Sequence, residues 1–177
     1  MKKVIMVMIA FGYTNLILAA DLYGAAVEIQ VGSGNSSAFS SGVINSEAMR
    51  VDGLVKINPY MGVEAGCTGL TKPATSSSNS SSSLQFYDAS FKATLPLADN
   101  IFNLHAQTGL SYAMGTTTPS GIDATSKILV GVGIDVNLSQ NFTFTANNYD
   151  YLNYDLNANS GVGGNTNVLM AGLKYNF

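Results

Sequence analysis

The residues of this chain that carry chemical capacity lie at alternate positions of short segments rather than in compact motifs. Glu28, Arg50, Asp52, Lys56, Glu64, Asp88, Lys92, His105, Gln107, Asp135 and Lys174 each sit in such a segment, with apolar or small residues beside them. On an extended backbone, successive side chains point to opposite faces, so each of these residues shares a face with the other polar residues of its segment. Five carboxylates, Glu28, Asp52, Glu64, Asp88 and Asp135, stand against four cations, Arg50, Lys56, Lys92 and Lys174, so opposite charges nearly balance. Buried charge without a partner is costly, and the chemistry implied is mutual ion pairing in a shared interior, with Glu64 and Lys92, and Glu28 and Arg50, as the close pairs expected from adjacent segments. A fixed polar plug and a switchable ion-pair gate both fit the pattern, and the plug is the simpler.

Other chemistry finds little footing. His105 is the sole histidine and lacks a serine two residues on. Ser111 shares its face but lies about 20 Å further along a strand, too far for direct activation. No catalytic residue is assigned. No cysteine, histidine or acid spacing of a metal site occurs, no phosphate loop is present, and no cofactor is implied. The Gly-Val-Gly-Gly run at 161–164 has no following helix to bind phosphate.

With 177 residues, 18 glycines, no tryptophan and 11% charged residues, the chain is one domain's worth of sequence. Its charges are scattered singly, which argues against a nucleic-acid partner. Lys2 and Lys3 precede a mostly apolar run at 4–18 and the small pair Ala19-Ala20, the signature of a secretory signal over 1–20 with cleavage after Ala20. Leu18 is bulkier than such a site prefers. A retained anchor is disfavoured because a spanning helix needs about 20 apolar residues. Removal of this segment leaves six basic against eleven acidic residues, a formal charge of about −5 on 21–177. Cys67 is the only cysteine, so no internal disulfide forms.

The elements that must position the charges are strands. The last nine residues set Leu169, Ala171, Leu173, Tyr175 and Phe177 on one face and Met170, Gly172, Lys174 and Asn176 on the other. One face suits lipid and the other a polar interior. Alternation of this kind recurs over 22–32, 47–57, 60–69, 86–95, 101–113, 127–137 and a segment starting at Phe142, eight strands in all. Cys67 then reads as a small lipid-facing side chain. In the seventh strand Phe142, Phe144 and Ala146 point outward, but Tyr149 and Tyr151 fall in the opposite phase. Either a β-bulge near Asn147-Asn148 restores the pattern, or the strand has left the membrane there.

Short connections at 58–59, 96–100 and 138–141 alternate with long ones at 33–46, 70–84, 115–126 and 153–165. Short turns face the periplasm and long loops the exterior in barrels that cross an outer membrane. The serine- and asparagine-rich run 75–83 is low complexity and solvated. Lipid cannot satisfy a free sheet edge, so the strands must close into a ring, with the last strand pairing with 22–32. The fold class is all-β: an eight-stranded antiparallel up-and-down transmembrane β-barrel, with an interior just wide enough to be filled by side chains.

The segment Asn58-Pro-Tyr-Met-Gly-Val-Glu-Ala-Gly66 resembles the OmpA-like, opacity-type family of eight-stranded outer-membrane barrels, in which such a turn leads into a strand with an inward glutamate. Thr94-Leu-Pro-Leu-Ala-Asp-Asn100, His105-Ala-Gln-Thr-Gly109 and the terminal Gly172-Leu-Lys-Tyr-Asn-Phe177 extend the likeness. The resemblance implies the outer membrane of a Gram-negative bacterium and contact with its lipid and lipopolysaccharide. It also implies assembly by the barrel-insertion machinery, for which Leu173, Tyr175 and Phe177 occupy the signal positions. Thr145 and Asn147 stand where family members often carry charge, which departs from the family's ion-pair pattern. No cell-wall-binding domain is expected after Phe177.

These readings lead to a non-enzymatic membrane protein with a polar-plugged barrel that supports membrane integrity. Its extracellular loops would display a surface for interaction or adhesion, with a host or surface ligand as partner. Tyr151, Tyr154 and Asp155 near the fourth loop would serve a ligand or, more simply, an interfacial aromatic girdle. A narrow porin-like channel for small solutes or ions is the alternative, and a lipid-modifying enzyme the second alternative.

Overall fold

The computed structural model describes residues 23–36, 45–71, 83–98, 101–117, 121–153 and 164–177. Residues 1–20 with their cleavage site, most of the serine-rich run, Tyr154 and Asp155 lie outside them. The strands are β1 (Gly24–Ser36), β2 (Asn45–Asn58), β3 (Met61–Thr71), β4 (Ser83–Leu97), β5 (Phe102–Thr117), β6 (Gly121–Asn137), β7 (Phe142–Asn153) and β8 (Thr166–Asn176). Each pairs antiparallel with its sequence neighbours, and β8 pairs with β1 to close the barrel. The closing register sets Glu28 opposite Lys174 and Ile29 opposite Leu173. No described helix is long and apolar enough to cross a membrane.

Alternation holds along every strand. Ile29, Val31, Met49, Phe91, Leu95, Leu104, Leu110, Val132, Ile134, Leu169 and Leu173 are exposed, and the residues between them turn into the barrel. Exposed aliphatic side chains on this scale are stable only against lipid. Phe142 packs edge-on against Tyr175 at 5.2 Å, and Tyr175 against Phe177 at 5.0 Å, at the end of the barrel that carries the chain terminus. Phe177 donates its N–H to the Ala25 carbonyl at 3.0 Å, holding the end of the chain beside β1.

Several expectations are corrected. β7 contains no bulge, because its register against both β6 and β8 runs without a break. Tyr149 and Tyr151 instead point into the lumen and are fully buried. Asn148 and Asp150 take the outward positions and both accept from Asn167 of β8, so the outward face turns polar just where the inward face turns aromatic. Tyr151, buried as it is, belongs neither to an interfacial girdle nor to a loop surface.

The connection at 115–126 is mostly strand, since β5 and β6 remain paired up to Thr117 and Gly121. Threonine and isoleucine within it favour extended backbone over coil. The turn at 96–100 begins later than its proline suggests, because Pro96 still pairs with Asn103 and Leu97 with Phe102.

The interior is layered rather than polar throughout. Toward the end with the long connections, Leu70, Leu84, Phe86, Leu129, Tyr149, Tyr151, Val168 and Met170 form an apolar cluster, with Ala48 and Ala113 filling between them. Phe86 stacks on Tyr151 at 4.0 Å between ring centroids. Below lies a layer of buried charges, and below that a cavity of about 460 Å³ opens toward the short turns, lined by Lys56, Lys92, Asp135 and Lys174 among others.

After Leu97 the chain turns through Ala98, whose φ of 47° lies in the left-handed region where a Cβ is disfavoured. Ala98→Gly should raise the free energy of unfolding by about 0.5–1 kcal/mol, the relief of strain less the added chain entropy. Urea unfolding of the refolded barrel in detergent reads this directly. An unchanged midpoint would contradict it.

Candidate functional site

The charged layer is organised by Arg50. Its side chain is fully buried, and its guanidinium forks onto Asp88, with Nη1 at 2.7 Å from Oδ2 and Nη2 at 2.8 Å from Oδ1. Nε donates to Asp52 Oδ2 at 3.0 Å and Nη2 to Glu64 Oε1 at 3.0 Å. Nη1 also reaches Thr68 Oγ1 at 2.9 Å and Tyr151 Oη at 3.2 Å, and the Tyr149 ring lies 4.7 Å from the guanidinium carbon. One cation thus engages three carboxylates, two hydroxyls and an aromatic face, which only a planar five-donor group can do.

Backbone register explains why the arginine reaches so far. Gly66 of β3 sits between Asp52 on β2 and Asp88 on β4, directly under the guanidinium. A Cβ at Gly66 would stand 2.5 Å from Arg50 Nη2 and 2.7 Å from Cζ. The missing side chain is the space the arginine occupies. Gly133 plays the same part for His105 and Asn147, its two cross-strand neighbours, since a Cβ there would stand 2.5 Å from His105 Nε2.

Glu64 links Arg50 to Lys92, whose Nζ donates to Glu64 Oε2 at 3.1 Å. The pairing of Glu64 with Lys92 expected from strand adjacency is therefore present. The pairing of Glu28 with Arg50 is not. In the β1–β2 register Arg50 faces Gln30 while Glu28 faces Asp52, and the guanidinium extends away from β1 toward β3 and β4. Glu28 accepts from Asn147 Nδ2 at 3.1 Å and lies 3.9 Å from the Lys92 ammonium.

The remaining candidates divide by depth. Gln107 donates to Glu64 Oε1 at 3.4 Å, inside the central layer. Lys174 and Asp135 form a direct ion pair nearer the cavity, with His105 Nδ1 3.6 Å from Asp135 Oδ1. Lys56 sits in the cavity wall and donates to Asn176 Oδ1 at 3.3 Å, with no carboxylate in ion-pair range among the described residues. Leu173, Tyr175 and Phe177 all face outward on the last strand or just beyond it.

Several members of the network lie outside the charged pattern. Asn147 holds four neighbours, with Nδ2 directed at Glu28, Gln30 and Thr145, and Oδ1 2.5 Å from His105 Nε2. Gln30 donates to Asp52 Oδ2 and to Tyr149 Oη. The only signal for these residues in the sequence is their parity, and for Tyr149 and Tyr151 that parity holds at face value. Asn147 is neutral, and it joins the network through its amide.

His105 faces the lumen and is buried, so it presents no nitrogen to the lipid face. Ser111 is buried too, opposite Asp88 on one side and Lys127 on the other. The two are not brought together.

The sequence profile described as "Outer membrane protein beta-barrel domain" matches residues 8–177. No curated protein matches the chain by sequence. Among solved structures, Neisserial surface protein A aligns at 15% identity over 86% of this chain and 97% of that one, with a TM-score of 0.68. Ail, the attachment invasion locus protein of Yersinia pestis, aligns at 12% identity over 87% and 97%, with a TM-score of 0.59. The N-terminal β-barrel domain of Pseudomonas aeruginosa OprF aligns at 13% identity over 86% and 97%, with a TM-score of 0.58. At these identities the likeness is one of fold.

Removing a buried charge from its partners typically costs about 3–5 kcal/mol, because the partners stay behind uncompensated. Arg50→Met should lower the unfolding free energy by about that amount, and Arg50→Lys should recover only a minor part, since an ammonium cannot fork. Denaturant unfolding in detergent checks both. A loss under about 1 kcal/mol for Arg50→Met would show that Arg50 is not the organising group.

Proposed function

We propose, from the premise that this chain belongs to the outer membrane protein β-barrel domain family, that it is a non-enzymatic, solid-cored barrel that supports the membrane and displays its loops for surface interaction or adhesion. Its place is the Gram-negative outer membrane, as for the barrels whose fold it shares. The observation that carries the reading is the double closure of the lumen. An apolar layer of Leu70, Leu84, Phe86, Leu129, Tyr151 and Val168 lies above the Arg50 layer, and both are almost wholly buried. An ion that crossed would have to part aromatic and aliphatic side chains as well as break ion pairs, so a gate at the charges alone would not open a path. With the lumen closed at these two layers, the loops are the part of the chain left to meet a partner.

The surface role draws support from the fold's other uses. Ail is named for attachment and invasion, and it has been solved in complex with the heparin analogue sucrose octasulfate. The exposed aliphatic belt supports contact with membrane lipid, lipopolysaccharide included. Leu173, Tyr175 and Phe177 serve as the signal for the barrel-insertion machinery, and 1–20 as the secretory leader.

Two measurements test the reading. Planar-bilayer recording of the refolded protein should give no stable openings; openings that disappear in Glu64→Lys would establish the narrow channel instead. Shortening the segments 37–44, 72–82 and 154–163 together, with heat-modifiable migration showing the barrel intact, should lower binding to host cells and to immobilised heparin. Unchanged binding would remove the adhesive role.

A further inference from the structure

We propose that the lumen holds one hard divalent cation of calcium size between Glu28, Asp52 and Glu64. This goes beyond the surface role and does not depend on it.

The first ground is charge. The enclosed central layer contains Glu28, Asp52, Glu64 and Asp88 against Arg50 and Lys92, all buried. The neighbouring Asp135 and Lys174 neutralise each other. Four carboxylates facing two cations leave an excess of two acids in a volume closed above by apolar side chains, and buried acids of that kind are protonated, hydrated or metal-bound. One divalent cation balances the excess.

The second ground is geometry. Glu28, Asp52 and Glu64 each bring a carboxylate oxygen to within 4.8 Å of the other two. Oxygens bound to a calcium ion at about 2.4 Å cannot be more than about 4.8 Å apart, so the three fit one coordination sphere.

The third ground is independent of the acids' spacing. Gln107 Oε1 and Ser90 Oγ are buried and accept or donate no hydrogen bond. Ser90 stands directly opposite Glu64 in the β3–β4 ladder, and Gln107 turns its amide nitrogen to Glu64. Asp52 Oδ1 is likewise without a hydrogen bond, and Glu28 Oε2 has only the Lys92 ammonium at 3.9 Å. Buried polar atoms are almost always partnered, so a group of such oxygens around Glu64 marks a place for a partner that accepts lone pairs. The donor set is oxygen alone, which suits calcium and its flexible coordination better than metals that favour nitrogen or sulfur.

Access sets the kinetics. The apolar layer blocks the extracellular side, and Lys56, Lys92 and Lys174 line the cavity on the other. The cation is therefore captured while the barrel folds and exchanges slowly afterwards.

The test is refolding from urea into a zwitterionic detergent without lipid, with calcium chloride or with chelator, followed by desalting in chelator and elemental analysis. The calcium-refolded chain should retain about one calcium per chain and the chelator-refolded chain none, with a lower urea midpoint for the latter. Glu28→Gln leaves all three Arg50 partners in place, and it and Asp52→Asn should each cut retention by at least about tenfold. Retention below about 0.1 per wild-type chain, or retention undiminished in these variants, overturns the proposal. Should neither variant fold, terbium refolded in place of calcium decides it in the wild-type chain. Tyr149, joined to Asp52 through Gln30, should sensitise its emission, and a chain that shows none has no such site.

Discussion

A sheet in lipid has no solvent to satisfy a free edge, and every other feature of this protein follows from the closure that this forces. Eight strands closed on themselves enclose a lumen only wide enough for side chains. Whatever the strands turn inward must therefore be filled and satisfied by other inward residues. Arg50 shows how tightly this binds the design: its donors meet acceptors from β2, β3, β4 and β7, so one residue ties half of the barrel's strands together at a single level.

The lumen solves its packing by placing absence beside bulk. Gly66 lies under the Arg50 guanidinium, Gly131 leaves room for Gln107 and Tyr149, and Gly133 for His105 and Asn147. In a soluble sandwich a large inward residue meets the opposite sheet about 10 Å away. Here the wall curves back on itself, and the neighbour's Cβ is the first obstacle. Small inward residues are thus the counterpart of the large ones, and the two have to be read across strands.

Much of the fold is legible in the sequence because lipid imposes an alternation that water does not. The outward sets, such as Leu169, Ala171, Leu173 and Tyr175, can be assigned without knowing any neighbour. The interior is harder. Leu70, Leu84 and Ala113 lie at strand ends that read as loop or loop margin, so the apolar layer escapes a reading along the chain and the lumen looks polar throughout. Tyr149 and Tyr151 break the outward pattern, which invites a bulge as the repair, whereas their inward parity is simply real. Glu64 with Lys92 is foreseeable from adjacent strands; the reach of Arg50 across Gly66 to Asp88 is not, since it skips a strand.

By itself the sequence determined the strand count, which residues face lipid, the closure of the ring and the presence of opposing charges within it. Those are one-dimensional properties, set by a period of two and by the demand that no backbone group go unpaired in the membrane. Tertiary structure alone decided which charges meet, because partner choice depends on register, strand tilt and the gaps that glycines leave. The same convergence set Glu28, Asp52, Glu64 and Asp88 around only Arg50 and Lys92, an excess of acids that the count along the chain could not localise because its members come from four different strands.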